Sequence, residues 1–234
     1  MHSIIYEYPL LPSTNTTAKE MILSGYREGV VLAQKQSAGR GRLGRSFFSE
    51  NGLFFSVILS PSRCMFEPSF LTSVAAVAVC RTLRARGLDV GIKWVNDLHY
   101  ENKKVCGILT EAVWGGNEIL GYVIGIGLNL EESAFPDELK EIAGALPIST
   151  QEKKVLLSEI LTELDIALKA PRSALIAYLS EHSVVLGKPI RFFGALDGEG
   201  TAVKIEENGG LTVKTAEGER ITLTTGEISI RVRQ

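Results

Sequence analysis

The sequence predicts an α+β protein, a mixed β-sheet flanked by helices, with a small β-barrel at its C-terminal end. Three observations lead there. Apolar strand-like runs alternate with segments of helical spacing as far as Glu181. A long amphipathic run places Phe70, Leu71, Val74, Val77, Ala78 and Leu83 at helical spacing. From Lys188 onward the pattern changes to short strands of period two, including Val203/Ile205, Leu211/Val213, Ile221/Leu223 and Ile228/Ile230/Val232. The expected division is therefore a larger unit over 1–183 and a barrel over 184–234.

In chain order, Ile4 to Tyr8 reads as a strand ending at Pro9. Ser13-Thr14-Asn15 stands ahead of a helix reaching to Ser24, with Thr17 and Glu20 spaced as a capping box and Gly25 as its stop. Val30 to Gln34 is a β-branched strand. Residues 36–46 lack apolar periodicity and hold three glycines, so they form a loop. Leu53 to Leu59 is an apolar strand, and Glu67-Pro68-Ser69 opens the long helix that Gly87 stops. Strands follow at Val90–Trp94, Val105–Glu111 and Ile119–Gly127, then helices at Glu152–Lys169 and Ser173–Glu181. In the C-terminal part, Asn208-Gly209-Gly210 marks a hairpin turn.

The 234 residues are 45% hydrophobic and 22% charged, an ordinary globular balance, and the net charge of −2 argues against a protein built to coat nucleic acid. Cys64, Cys80 and Cys106 form no C-x-x-C pair, and His2, His99 and His182 are scattered, so neither a disulfide framework nor a zinc site is expected. The N-terminus lacks a charged and then apolar leader. The longest strongly apolar run, Val74 to Cys80, falls short of the roughly 18 residues a membrane span needs.

Three segments carry chemistry. Gly39-Arg40-Gly41-Arg42-Leu43-Gly44-Arg45 satisfies G-x-G-x-x-G, but it leads into Phe47-Phe48 and another strand. Without a following helix there is no N-terminal dipole for a pyrophosphate, and a Rossmann reading fails. What remains is a glycine-rich loop with three arginines, whose planar forks suit carboxylate and phosphate oxygens; a solvated basic turn is the bland alternative. In Lys93-Trp94-Val95-Asn96-Asp97, Val90, Ile92 and Trp94 share one face while Lys93 points the other way, either as an edge charge or at the rim of a pocket. In the strand Gly121 to Asn129, period two puts Gly121, Gly125, Gly127 and Asn129 on one face. Strand glycines mark close approach, of a ligand or of a packed helix, and Gly107 in the neighbouring strand adds to the ligand reading.

Taken in order, Ser13-Thr14-Asn15, Gln36, the GRGRLGR loop, KWVND, Gly107–Glu111 and Gly125–Asn129 resemble biotin protein ligase over essentially the whole chain. The resemblance implies a catalytic fold like that of class II aminoacyl-tRNA synthetases followed by an SH3-like barrel. It places Ser13, Thr14, Asn15 and Gln36 around the biotin ring system, with Gly107, Gly125 and Gly127 also lining biotin. It places Arg40, Gly41 and Arg42 over the biotin carboxylate and the adenylate phosphate. Lys93 meets the same reacting oxygens, so that Arg42 and Lys93 carry catalysis. Asn129 takes the adenine or phosphate side, and Asp97 and Glu111 stand near magnesium.

The implied reaction uses biotin, ATP and Mg²⁺ and modifies a lysine of a biotin carboxyl carrier protein. The setting is cytoplasmic, without DNA or a membrane as partner, and a homodimer is left open. With Ser13 already in the biotin motif, the expected form lacks a winged-helix domain. The chain departs from the family at Val95, where proline is usual, and at Phe47, where tryptophan is common. The competing readings are a lipoate or octanoate ligase, whose R-R-x-S-G-G-G loop is absent, and a nucleic-acid-binding protein using the arginine loop. G-x-S-x-G and Walker signatures are missing as well.

Overall fold

The computed structural model describes residues 4–45, 47, 51–131, 135–224 and 228–232. Phe48 and His2 lie outside them. The α-helices are α1 (Thr14–Leu23), α2 (Pro68–Ala85), α3 (Lys153–Ala167) and α4 (Arg172–Glu181). Seven strands form one mixed sheet: β1 (Ile5–Leu11), β2 (Gly29–Gln36), β3 (Gly52–Leu59), β4 (Gly91–Lys93), β5 (Asp97–Tyr100), β6 (Lys103–Gly115) and β7 (Glu118–Asn129). Their spatial order is β1-β2-β3-β7-β6-β5-β4, with β1 and β2 parallel and every other pair antiparallel.

The remaining strands are β8 (Pro189–Gly194), β9 (Gly198–Ile205), β10 (Leu211–Lys214), β11 (Arg220–Leu223) and β12 (Ile228–Val232). They make an antiparallel sheet ordered β11-β10-β9-β8-β12, and the described pairings do not join β11 to β12. Ile190, Phe192, Ala202, Leu211 and Val213 of this sheet belong to the same buried cluster as the large sheet and α2. The three cysteines are free, and no helix among the described residues is long and apolar enough to cross a membrane.

The two faces of the large sheet are covered unequally. Val30, Leu32, Leu53, Phe55, Val57, Tyr122, Ile124 and Ile126 pack beneath α2, α3 and α4. On the other face α1 is the one α-helix that packs among the described residues, through Ala18 and Ile22 against Val31, Ile58, Val113 and Val123. Seven strands span about 29 Å at ~4.8 Å per step, whereas one helix with its side chains covers about 10–12 Å. Most of the β7-β6-β5-β4 half of that face is therefore open, and it forms the floor of a cleft.

Several local expectations need correction. β1 runs through Pro9 instead of ending there, which an edge strand tolerates because a missing N–H on its outer side breaks no ladder bond. The Thr17/Glu20 capping box does not form. The helix already starts at Thr14, and the Thr17 N–H bonds to the Ser13 carbonyl at 3.2 Å as an interior residue. The strand expected over Val90–Trp94 is shorter, and it turns through 94–96 into β5, a strand the sequence did not suggest. The Trp94–Val95 peptide is cis. The expected stops at Gly25 and Gly87 hold, both with positive φ (101° and 82°) that favours glycine.

Candidate active site

Pairing across the open face aligns the site. Lys93 lies opposite Asp97, Asp97 opposite Gly107, Gly107 opposite Gly127, and Gly127 opposite Phe54. Residues directly opposed in antiparallel strands point to the same face, so these five form one row. A second row, one pleat repeat along, runs Leu109, Gly125, Ser56. From Ser56 to Lys93 is four inter-strand steps, about 19 Å. The cleft above has a volume of about 1320 Å³ and is lined by Ser13, Thr14, Asn15, Gln36, Arg40, Gly41, Arg42, Lys93, Asp97, Gly107, Gly125, Gly127 and Asn129. Of the sequence-predicted site residues, Glu111 is not part of this lining.

At the Ser56 end the polar groups are neutral and already bonded. Thr14 donates its backbone N–H to Gln36 Oε1 at 2.8 Å, and its hydroxyl lies 3.2 Å from the same oxygen. Ser56 Oγ is 2.7 Å from both Thr14 Oγ1 and Asn15 Oδ1. A hydroxyl has one proton and the Asn15 oxygen can only accept, so Ser56 donates to Asn15. Asn15 Nδ2 donates to the Leu109 carbonyl at 3.2 Å and to Glu111 Oε2 at 2.8 Å. Ser13 is the α1 N-cap and is buried without a side-chain cap bond. Gly125 is required here, because a Cβ would collide with the Asn15 amide. The packed-helix reading of the glycine face applies at Gly121, against Ile22, as at Gly125, against Asn15, both of α1; at Gly107 and Gly127 the neighbour is the Phe47 ring.

The other end is charged. The loop after Gln36 is shaped by backbone bonds, Gly41 N–H to Arg45 O at 2.7 Å and Phe47 N–H to Gly39 O at 2.8 Å, around a 3-10 turn over Arg42–Gly44. Arg42 Nη1 donates to Asn96 Oδ1 at 3.2 Å, while Asn96 Nδ2 donates to the Ile108 carbonyl. Burial lowers the Arg42 pKa, partly offset by Asp97, yet guanidinium remains charged at neutral pH. Arg40 is exposed on the same loop. Asp97 is ion-paired with Lys104 at 2.6 Å, and Lys104 stands 5.9 Å over the Phe47 ring. His99, two residues further along β5, is held neutral with its pKa lowered to about 4, first by burial and then by Lys93. Asn129 spends its amide on the Gly144 carbonyl at 3.0 Å, fixing the segment that walls the cleft there.

The expected metal pair is not brought together. Asp97 faces Gly107 and Lys104, whereas Glu111 sits four residues along β6 with its oxygens on Asn15 and Lys19. No group of three His, Cys, Asp or Glu side chains able to hold a metal occurs among the described residues. Sequence reasoning missed Ser56, Lys104 and His99. Ser56 had a signal, the lone hydroxyl in an eight-residue strand buried throughout. His99 had none, because β5 itself was not expected, and neither did Lys104 of β6, whose partner Asp97 stands on that strand.

The cleft thus joins a neutral hydrogen-bonding pocket, across a glycine floor, to a cluster of cations whose chemistry suits anionic oxygens. The Biotin/lipoate A/B protein ligase family model matches residues 7–129, more than half of the chain, and the chain belongs to that family. It is 40% identical over 156 residues to the bifunctional ligase/repressor BirA of Bacillus spizizenii, covering 64% of this chain and 48% of that protein. It is 35% identical over 142 residues to the biotin–[acetyl-CoA-carboxylase] ligase of Paracoccus denitrificans, 58% of this chain and 57% of that one. The chain thus spans about half the length of these curated relatives. Among solved structures it resembles the biotin protein ligase of Aquifex aeolicus in complex with biotin and ATP, with a TM-score of 0.86 and 27% identity over 98% of this chain and 99% of that one.

Proposed function

We propose that this chain is a biotin protein ligase that forms biotinyl-5′-AMP from biotin and ATP and transfers biotin to a lysine of a biotin carboxyl carrier protein. The observation that carries the reading is the row Lys93–Asp97–Gly107–Gly127, which leads from the cationic end to the neutral pocket of Thr14, Asn15, Gln36 and Ser56. About 19 Å of cleft suits an elongated ligand with a polar ring at one end and a phosphate near the other. Membership of the ligase family and the likeness to a structure holding biotin and ATP support it.

In the first step the biotin carboxylate attacks the α-phosphate of ATP and pyrophosphate leaves. A carboxylate is already ionised at neutral pH, so no base is needed. Two anions must meet, and fixed cations offset the charge that builds up: Arg40 and Arg42 from the loop, Lys93 from β4. Asp97, paired with Lys104, and Glu111, bonded to Asn15 and Lys19, are not placed to hold Mg²⁺ together, and Mg²⁺ brought in with ATP would supply further countercharge. The mixed anhydride is open to hydrolysis, and the Phe47 ring, standing over Gly107 and Gly127, helps to exclude water from it. In the second step the acceptor amine attacks the acyl carbon and AMP departs. Lys93 and Arg42 lower the pKa of an approaching ammonium by like-charge repulsion, favouring the reactive amine.

The same reading assigns 1–183 to catalysis and 184–234 to an SH3-like unit, acting in the cytoplasm where free thiols persist. Calorimetric titration with biotin, repeated with ATP and Mg²⁺, tests it. Biotin binding with pyrophosphate released only when ATP is added supports the proposal. Response to lipoate or octanoate but not biotin would move the chain to the other branch of its family.

A further inference from the structure

Lys93 is flanked by two residues whose polar bonds leave the large sheet. On one side, Ile92 N–H donates to the His182 carbonyl at 2.8 Å and the Val184 N–H donates to Ile92 O at 3.0 Å. Residues 182–184 are the segment that leads into the small sheet. On the other side, the buried Trp94 indole N–H donates to the Gly209 carbonyl at 2.9 Å, in the turn between β9 and β10. Ile92 and Trp94 face the core while Lys93 projects into the cleft, so both anchors act on the backbone that aims the lysine. Asn96, which accepts from Arg42, lies two residues beyond Trp94 in the same turn.

The β9–β10 turn is itself built to stay in place. Gly209 has φ +83°, and a Cβ there would stand 2.8 Å from the Phe70 ring, so only glycine fits. Gly209 N–H bonds to Glu206 O, Glu206 N–H to Gly210 O, and Gly210 N–H to Asn208 Oδ1, all within 2.9 Å. Arg172, at the start of α4, grips the turn from outside. Its guanidinium donates to the Glu207 carbonyl and to Glu67, and stacks 4.4 Å from the Phe70 ring centre. The turn is thereby fixed to α2 and α4, and the Trp94 indole links it to the strand end that carries Lys93.

We infer that the β9–β10 turn of the small sheet is a positioning element for Lys93 and Asn96, acting through the indole N–H of Trp94. Trp94 is a positioning residue and touches no reacting atom. The consequence for the reaction rests on the ligase reading, but the positioning itself does not. A small displacement at this turn moves the lysine and the Asn96–Arg42 contact together, and a misplacement of order 1 Å can cost roughly a hundredfold in rate. The ring pocket lies on α1, β2 and β3, outside both anchors, so biotin affinity is not coupled to the turn.

The test pairs Trp94→Phe, which keeps the ring and deletes the donor, with Arg172→Met, which loosens the turn without touching the cleft. Biotin-dependent ATP–pyrophosphate exchange is measured per active site, counted by the burst of pyrophosphate, alongside biotin calorimetry and amide hydrogen exchange. Trp94→Phe is expected to lower kcat about tenfold or more, and Arg172→Met less, both with biotin affinity within about twofold. Amide exchange over 92–97 is expected to speed up while 13–15 stays protected. Unchanged kcat per active site together with unchanged protection over 92–97 overturns the inference. If the unsubstituted protein itself shows no biotin-dependent exchange, the ligase reading falls, and hydrogen exchange alone decides the positioning claim.

Discussion

The two ends of the cleft are built by opposite rules. At the Ser56 end the groups facing the ligand space are neutral, Ser56, Thr14 and Asn15 are buried, and their bonds are already made. At the Lys93 end the groups are charged and part-exposed, and an exposed loop supplies half of them. The difference follows from desolvation. A short neutral side chain can be buried and oriented in advance for one hydrogen bond, whereas an uncompensated buried charge costs several kcal/mol. Charges that must remain available for an anion therefore stay near water until the anion arrives. Under the proposed ligase reading, the neutral end recognises and the charged end reacts.

That division is broken most directly at Lys93. Lys93→Ala is expected to lower kcat for adenylate formation by about 10²–10³, the usual cost of one lost transition-state donor, with biotin affinity nearly kept. Exchange of labelled pyrophosphate into ATP measures it. A large loss of biotin affinity with kcat intact would mean that the ends share their work. Arg42→Gly comes next. Losing one charge-assisted bond, worth roughly 1.5–3 kcal/mol, is expected to release the adenylate at least about tenfold faster. Biotin labelling of bystander proteins then rises; normal retention of the intermediate would show that the loop does not hold it.

Ser56→Ala sharpens the comparison from the other side. It strips Asn15 Oδ1 of its donor inside a buried network, at a stability cost of about 1–3 kcal/mol. Biotin affinity is expected to fall roughly tenfold while kcat at saturation stays near its starting value. A fall in kcat instead would place Ser56 with the reacting groups.

How much of this was legible in the sequence depends on how local each cause is. The glycine face of β7 and the opposite directions of Lys93 and Trp94 follow from period two alone, and the structure keeps both. The arginine loop was readable because three glycines and three arginines crowd one segment. β5 was not, since Asp97-Leu98-His99-Tyr100 is four residues long and follows a turn-like Asn96. Glu111 misled for a different reason: its partners are Asn15 and Lys19 on α1, more than ninety residues away, and no local pattern announces that pairing. Pro9 and the capping box failed because a single residue's preference gave way to edge-strand placement and to an earlier helix start.

The smallest effect concerns pH, and it again separates the ends, because the titrating group sits beside Lys93. His99 has its pKa lowered from 6.5 to about 4, by burial first and by Lys93 second. Between those values the unfolded chain binds a proton that the folded chain does not, so stability rises with pH across this window. The contribution is complete above pH 6.5 and is lost as pH falls toward 4. It is on the order of 1 kcal/mol once partial solvent access is allowed for. Urea unfolding at pH 7 and pH 5 should show the decline, and His99→Leu should flatten it while leaving biotin binding at the neutral end unchanged. A decline of equal size in His99→Leu would assign the acid sensitivity to the carboxylates instead, and the charged end would lose its claim to set the pH response.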